Sequence, residues 1–326
     1  MPRTDVLVVS VGSTTGWRAA ANELVGSLRR AGATVAIVDT GRLPRVRTFA
    51  LTDFVEARAA RRATIRGIAE HDPAAVIYCS MTAALLWSTP GAVWLDSIAA
   101  ENRPGRHGIW QRLVEQRRLR QTPIVLAMSN RALAPLNGSA RPRDVVVVPV
   151  PVGPSGAPPA VRDVDAVAYA GNPEKKRLDY VLSAWARAQR GDETLVVAGT
   201  DELPRADGVR LAGRLAPAEY RALLRRARMF VAAPRREDYG IAPLEALADG
   251  CMLVTTPAPG PYPALDLARE LDPRLVDEDL ARALRVALDD PVPGYAQRAA
   301  ELLEPFSREA VDRTVAQEVL PRLLTT

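Results

Sequence analysis

The stretch Arg235-Arg-Glu-Asp-Tyr-Gly-Ile-Ala-Pro-Leu-Glu-Ala-Leu-Ala-Asp-Gly250 decides how the chain is read. It follows the apolar run Met229–Ala233, which predicts a buried strand. Pro243 suits the first turn of a helix, Leu244, Leu247 and Ala248 repeat at helical spacing, and Gly250 suits its stop. One carboxylate, Glu237, then sits in the loop at the strand's C-terminal end, and a second, Glu245, in the first turns of the helix. Gly240 lets the backbone between them turn and approach a ligand. In an open parallel sheet, ligands bind outside the strand ends, at helix N-termini whose N–H groups favour phosphate. The competing reading is a polar loop and a surface glutamate.

The rest of the C-terminal half repeats this logic. Strands are expected over 165–169, 194–198, 209–212 and 252–255, with helices over 178–190, 217–228 and 243–249. Further helices are expected near 277–289, 293–304 and 308–324. Two more loops fall at strand ends: Gly171-Asn-Pro-Glu-Lys-Lys-Arg177 and Gly199-Thr-Asp-Glu202. Nearly every cation in the chain is arginine; Lys175 and Lys176 are the only lysines, and both lie in the first of these loops. A cation at Lys176 neutralises a diphosphate, a helix start near Gly240 donates to it, and a carboxylate at Glu245 accepts the hydroxyls of a ribose. Glu237 is left to accept hydroxyls of a sugar.

The N-terminal half opens as βαβ: strand 5–11, the turn Gly12-Ser13-Thr14-Thr15-Gly16, a helix to about Arg30, and strand 34–39. The turn lacks the G-x-G-x-x-G of dinucleotide binders, so a nicotinamide enzyme is a weak alternative despite Asp39. Strands follow at 75–79, 92–95, 124–127 and 145–148. Asp96 closes one of them and leads into a polar loop with Asn102, Arg103 and His107, the expected wall of a reacting centre. A helix over 52–70 carries Arg58, Arg62 and Arg66 on one face, and a basic amphipathic helix covers 109–120. These arginines suit an anionic partner or a membrane surface; the plainer alternative is a solvated face partly neutralised by Glu56 and Glu70.

Length and composition set the outer bounds. A chain of 326 residues, with a net charge of +5, suggests two domains with substantial cores. No apolar run is long enough to span a bilayer, and the first residues lack the layout of a secretory signal, so a cytoplasmic location is expected. Cys79 and Cys251 are expected to be buried free thiols, with no disulfide framework and no metal site. The proline-rich segment 149–159 reads as a linker between domains.

In order, Tyr169–Leu182, Leu195–Thr200, Val209–Arg214 and Glu237–Gly250 resemble the GT-B retaining glycosyltransferases of family 4 (glycosyl transferases group 1). The resemblance covers about residues 165–260, and its paired-glutamate segment is the most specific part. It implies an α/β protein with two Rossmann-like domains facing each other across a deep cleft. The boundaries would be 1–150 for an acceptor domain, 151–163 for the linker, 164–304 for a nucleotide-sugar domain, and 305–326 for a C-terminal helix packing back toward the first domain.

The activity implied is transfer of a sugar from a nucleoside-diphosphate sugar to an acceptor hydroxyl, with retention and without a required metal or other cofactor. Glu237, Lys176 and Asp96 would be catalytic. The donor would be held by Glu245, Gly171, Asn172, Arg177, Gly199, Arg214, Asp238, Tyr239, Gly240 and Ile241. The acceptor, a small molecule, glycan or lipid, would meet the Gly12–Gly16 turn, Asn102, Arg103 and His107. Nucleic acid is not an expected partner; peripheral contact with an anionic membrane, at its inner face, is. The family commonly has arginine where Asn172 stands, so a diphosphate cation is missing or supplied by Arg177 or Arg214. That departure motivates the alternative of a catalytically impaired nucleotide-sugar-binding protein.

Overall fold

Val6, Leu7, Val8 and Val9 are wholly buried, as a parallel strand covered on both faces requires. In the computed structural model this strand is the second of six in a parallel sheet. The structure describes residues 4–12, 15–41, 43, 48–136 and 142–325, and only the backbone of Thr15, Phe49 and His107. The chain divides into two compact units, Met1–Pro151 with Arg308–Thr326, and Val152–Ser307.

The first unit's strands are β1 (Val6–Ser10), β2 (Val35–Asp39), β3 (Ala75–Cys79), β4 (Ala92–Leu95), β5 (Val125–Ala127) and β6 (Val145–Val147), in the order β2-β1-β3-β4-β5-β6. Helices Thr15–Arg30, Phe49–His71 and Ile109–Gln121 make the main crossovers. Thr48 caps the second of these, its hydroxyl accepting from Leu51 N. The C-terminal segment, Arg308–Thr314 followed by a π turn and Leu320–Leu324, belongs to this unit. It is tied there by Arg30 Nη2 to Asp312 Oδ1 (2.9 Å) and Arg308 Nη1 to Glu23 Oε2 (2.7 Å).

The second unit's strands are β7 (Val164–Tyr169), β8 (Leu195–Ala198), β9 (Val209–Gly213), β10 (Ala227–Ala232) and β11 (Met252–Thr255), again all parallel, in the order β11-β10-β7-β8-β9. Its core holds Trp185, Phe230, Leu244 and Tyr262. The longest helix outside the sequence expectations lies in this unit. Helix Pro263–Leu271 starts directly after Pro259-Gly260-Pro261, with proline in its first turn.

The proline-rich stretch is less free than a linker reading implies. Gly153 O accepts from Arg221, Ser155 N donates to Asp249, and Val152 N donates to Phe306 O. Its first residues are thereby part of the second unit.

In such sheets the ligand crevice lies at the carboxyl ends where strand order reverses. In the second unit β7 leads to β8 on one side and has β10 on the other, so the reversal lies between β7 and β10. In the first unit it lies between β1 and β3.

Candidate active site

At the β7/β10 reversal the two loops singled out in the sequence meet. Arg235 N donates to Lys175 O (3.0 Å), joining the loop after β10 to the loop after β7. Lys176 Nζ contacts Glu237 Oε2 directly, and both side chains are mostly buried. They line a pocket with Tyr169, Ala170, Ala242 and Pro243, formed by the ends of β7 and β10 and the start of helix Ile241–Ala248. Such a pair supplies one cation and one acceptor in a partly dehydrated place, where both act more strongly than in water.

The backbone around Glu237 is closely specified. Glu237 N donates to Pro259 O (3.1 Å), and Glu237 O accepts from Tyr262 N (3.4 Å). Gly240 has φ +80, and a Cβ there would stand 3.0 Å from Glu237 Cγ and 3.0 Å from Tyr262 Cε2. Gly260 has φ +111, and a Cβ would fall 2.2 Å from Glu237 O. Both glycines are therefore required by close approach as well as by handedness. Helix Ile241–Ala248 begins immediately, so its first-turn N–H groups, which lack helix-internal partners, lie beside the pocket. Asp238 takes a hydrogen bond from Arg236 Nε (2.7 Å), and the Tyr239 ring is buried.

The neighbouring loops bear on the departure at Asn172. Asn172 Oδ1 accepts from Lys175 N (3.0 Å), and Asn172 O accepts from Lys176 N (3.0 Å). Asparagine here closes the turn that delivers Lys176. Arg177 adopts φ 49 and lays its guanidinium over the Tyr180 ring at 4.2 Å, while Arg214 pairs with Asp201 at 2.7 Å. Gly171 and Gly199 sit tightly around Tyr169, with Gly199 N donating to Gly213 O (2.8 Å).

Glu245 lies one turn further along the helix and is mostly buried. Its carboxyl is raised above the ordinary range, chiefly by burial; Arg221, at 3.6 Å, opposes this, and Asp249 adds to it. Neither Arg221 nor Asp249 was among the expected site residues. The sequence carried no local signal for them, because the contact joins two helices far apart in the chain.

In the first unit, Gly12 has φ +64 and its carbonyl accepts from Arg18 Nη1 (2.6 Å). Ser13 and Thr14 lie outside the described residues, as do the side chains of Thr15 and His107; Gly16 is exposed on helix Thr15–Arg30. Ser80, at the end of β3, has φ 142 and caps the next turn by accepting from Ala83 N (3.1 Å), a strained position the sequence did not reveal. Asp96 Oδ1 accepts from Ser97 Oγ (3.3 Å), and Asn102 Nδ2 donates to Ser97 Oγ (2.7 Å).

Arg103 does structural work in the loop. It makes two hydrogen bonds to the buried Asp53 (2.7 and 3.0 Å), which also accepts from Gln111 (3.2 Å). Glu115, also buried, accepts from Ala99 N through both oxygens (2.9 and 2.8 Å) and is pushed up to about 7 by burial. Helix Ile109–Gln121 therefore buries a partly polar face, Gln111, Glu115 and Leu119, and exposes Ile109 and Leu113. The expected basic amphipathic helix is present with an unexpected polarity. Cys79 and Cys251 are buried free thiols, each pushed up to about 12 by burial.

Residues 165–290 match the family described as glycosyl transferases group 1. The sucrose-phosphate synthase of Thermosynechococcus elongatus is similar over 99% of this chain and 100% of its own, at 15% identity and a TM-score of 0.70. WaaG, a glycosyltransferase involved in lipopolysaccharide biosynthesis, is similar over 95% and 98%, at 14% identity and a TM-score of 0.69. HepE of Anabaena, solved with UDP and glucose, is similar over 97% and 99%, at 12% identity and a TM-score of 0.68. Among the curated proteins no sequence matches this chain. The fold is GT-B. The region that matches this family model holds Lys176, Glu237 and Glu245.

Proposed function

We propose that the chain is a retaining, metal-independent glycosyltransferase of family 4 that uses a nucleoside-diphosphate sugar. The Lys176–Glu237 pair at the β7/β10 reversal is the observation that carries this reading. Lys176 is the cation that the donor loop brings to Glu237; Arg177 is stacked on Tyr180, and Arg214 is paired with Asp201. Lys176 and the first-turn amides of helix Ile241–Ala248 take the diphosphate, Glu237 orients the sugar, and Glu245 accepts the ribose hydroxyls. The bond from the anomeric carbon to the diphosphate oxygen breaks as the acceptor oxygen attacks from the same face. The acceptor's proton passes to the departing diphosphate, so no enzyme nucleophile is required. Asp96, at the end of β4 in the first unit, is the carboxylate this reading assigns to the acceptor side.

The first unit favours an amphiphilic acceptor presented at an anionic membrane surface, on the inner face of a cytoplasmic membrane. Leu51 and Phe54 on helix Phe49–His71, and Ile109 and Leu113 on helix Ile109–Gln121, are exposed large apolar residues, with Phe54 packed 6.3 Å from Trp110. Arg58, Arg62, Arg66, Arg117 and Arg120 are exposed on the same two helices. Among the described residues, no helix is long and apolar enough to cross a membrane, which leaves surface contact as the mode this reading uses.

Lys176→Ala tests the assignment. Release of nucleoside diphosphate should fall by roughly 10²–10³ in kcat, with a smaller change in the donor KM, because the charge it offsets develops in the transition state. Turnover within a factor of two of the parent chain would remove Lys176 from the chemistry.

A further inference from the structure

Arg221 projects from helix Pro217–Arg226, and its side chain is only 16% exposed. All three arms of its guanidinium are engaged. Nε donates to Asp249 Oδ2 (2.6 Å), Nη2 donates to Gly153 O (2.7 Å), and Nη1 lies 3.6 Å from Glu245 Oε1. Asp249 is fully buried, and Ser155 holds it from the other side through its N–H (2.8 Å) and its hydroxyl (2.9 Å). Arg162 Nη2 donates to Asp249 O (2.8 Å).

A guanidinium is planar, so fixing two arms fixes the third. The contact to Glu245 is long for a hydrogen bond and short enough for an ion pair. Glu245 thus has a counter-charge while its oxygens stay available as acceptors. Tyr220, the preceding residue, is buried and its hydroxyl has no hydrogen-bond partner; burial above all, then Glu245, Cys251 and Tyr169, disfavours its ionisation. The groups facing Glu245 are therefore one cation, Arg221, one buried carboxylate, Asp249, and one neutral phenol, Tyr220.

We propose that Arg221 is a positioning residue of the donor site: it gives Glu245 its counter-charge and orients it toward the ribose, and couples it through Gly153 and Ser155 to the first residues of the second unit. The proposal rests on Glu245 being the ribose acceptor. It goes beyond that role, because Arg221 acts through Glu245, its guanidinium arms being directed at Asp249, Gly153 and Glu245. An arginine serving only the fold would be satisfied by Asp249 and Gly153, with no arm directed at a carboxylate of helix Ile241–Ala248.

The test is isothermal titration of the full chain with uridine, thymidine, guanosine and adenosine diphosphates, followed with the tightest binder at about pH 6 and about pH 8. The variants are Arg221→Gln, Arg221→Lys, Glu245→Ala and Arg221→Gln with Glu245→Ala, each checked for folding by circular dichroism. Arg221→Gln should weaken binding by roughly tenfold or more, and more at the lower pH, where an unsupported Glu245 takes up a proton. Arg221→Lys restores the charge without the fork, so binding should be severalfold weaker with the parent pH profile. In the Glu245→Ala background, Arg221→Gln should add little.

Parent-like binding by Arg221→Gln, or an equal loss with and without Glu245, would overturn the proposal. If Arg221→Gln fails to fold, parent-like binding by Arg221→Lys overturns it instead. Unchanged binding by Glu245→Ala, or no binding of any of the nucleotides to the parent chain, would instead overturn the ribose assignment on which the proposal rests.

Discussion

Gly240→Ala separates a backbone cost from a site cost. Gly240 has φ 80 and ψ 63, and it directly precedes helix Ile241–Ala248. Alanine in that left-handed region costs about 1–2 kcal/mol. The added methyl would also stand 3.0 Å from Glu237 Cγ and 3.0 Å from Tyr262 Cε2. Tyr262 is wholly buried and its N–H is engaged with Glu237 O, so the ring cannot retreat. The Glu237 side chain must then give by a few tenths of an ångström, which strains its contact with Lys176. Overpacking of this kind adds about 1–3 kcal/mol.

The sum, about 2–5 kcal/mol, lowers the midpoint of a unit of this size by roughly 5–15 °C. Gly294→Ala is the matched control. It too has positive φ, +70, before a helix in the same unit, and a Cβ there meets nothing within 4 Å. The control should lose about 1–2 kcal/mol and keep its activity. Gly240→Ala should also lose roughly tenfold in nucleoside-diphosphate release, since the shift of Glu237 is a few tenths of an ångström and a misplacement of about 1 Å costs about 10²-fold. Thermal denaturation and a release assay on both variants decide it. Equal midpoints for the two, with equal activity, would refute the argument from contact with Glu237.

Further expectations concern the first unit. Glu115 sits near 7 in the folded chain against 4.5 ordinarily, so the native state binds its proton more tightly than the unfolded chain does. That contribution to stability is present below about pH 4.5 and is lost as the pH rises through about 7, on the order of 3 kcal/mol. Glu115→Gln should flatten urea-melt stability between pH 5 and pH 8 by about that much; Glu56, also pushed up to about 7, keeps a residual slope. Leu113→Glu should reduce co-sedimentation with vesicles containing phosphatidylglycerol at least severalfold while leaving the melting midpoint within about 2 °C, because Leu113 is 63% exposed. Equal sedimentation with neutral phosphatidylcholine vesicles, or no effect of the substitution, would rule out that face as the contact.

Much of the second unit was legible because parallel strands buried on both faces read as short apolar runs: Met229–Ala233 and Leu195–Ala198 are examples. The Lys176 loop was legible because two lysines stand out in an arginine-rich chain, and Gly240 because a turn between two carboxylates needs it. What stayed hidden depends on tertiary pairing. Arg221, Asp249 and Ser155 are separated by whole elements, and no periodicity links them. Residues 153–155 read as linker because proline suppresses both regular periodicities, yet their backbone and hydroxyl groups are consumed by Arg221 and Asp249. Helix Pro263–Leu271 was obscured by the Pro-Gly-Pro before it. Arg103 read as a ligand-facing cation because its partner, Asp53, lies on another helix.

The most direct measurement is a thermal-shift titration of the parent chain and of Glu245→Ala with nucleoside diphosphates and their sugars. Binding to the folded state alone raises the midpoint by mass action, about 2.7 kcal/mol of added stability at a hundred times Kd. The account predicts that at least one nucleoside diphosphate raises the midpoint of the parent chain by several degrees, and that Glu245→Ala loses most of that rise while remaining folded. A parent chain whose midpoint no nucleoside diphosphate or nucleotide sugar moves, or a Glu245→Ala chain that responds as the parent does, would contradict it.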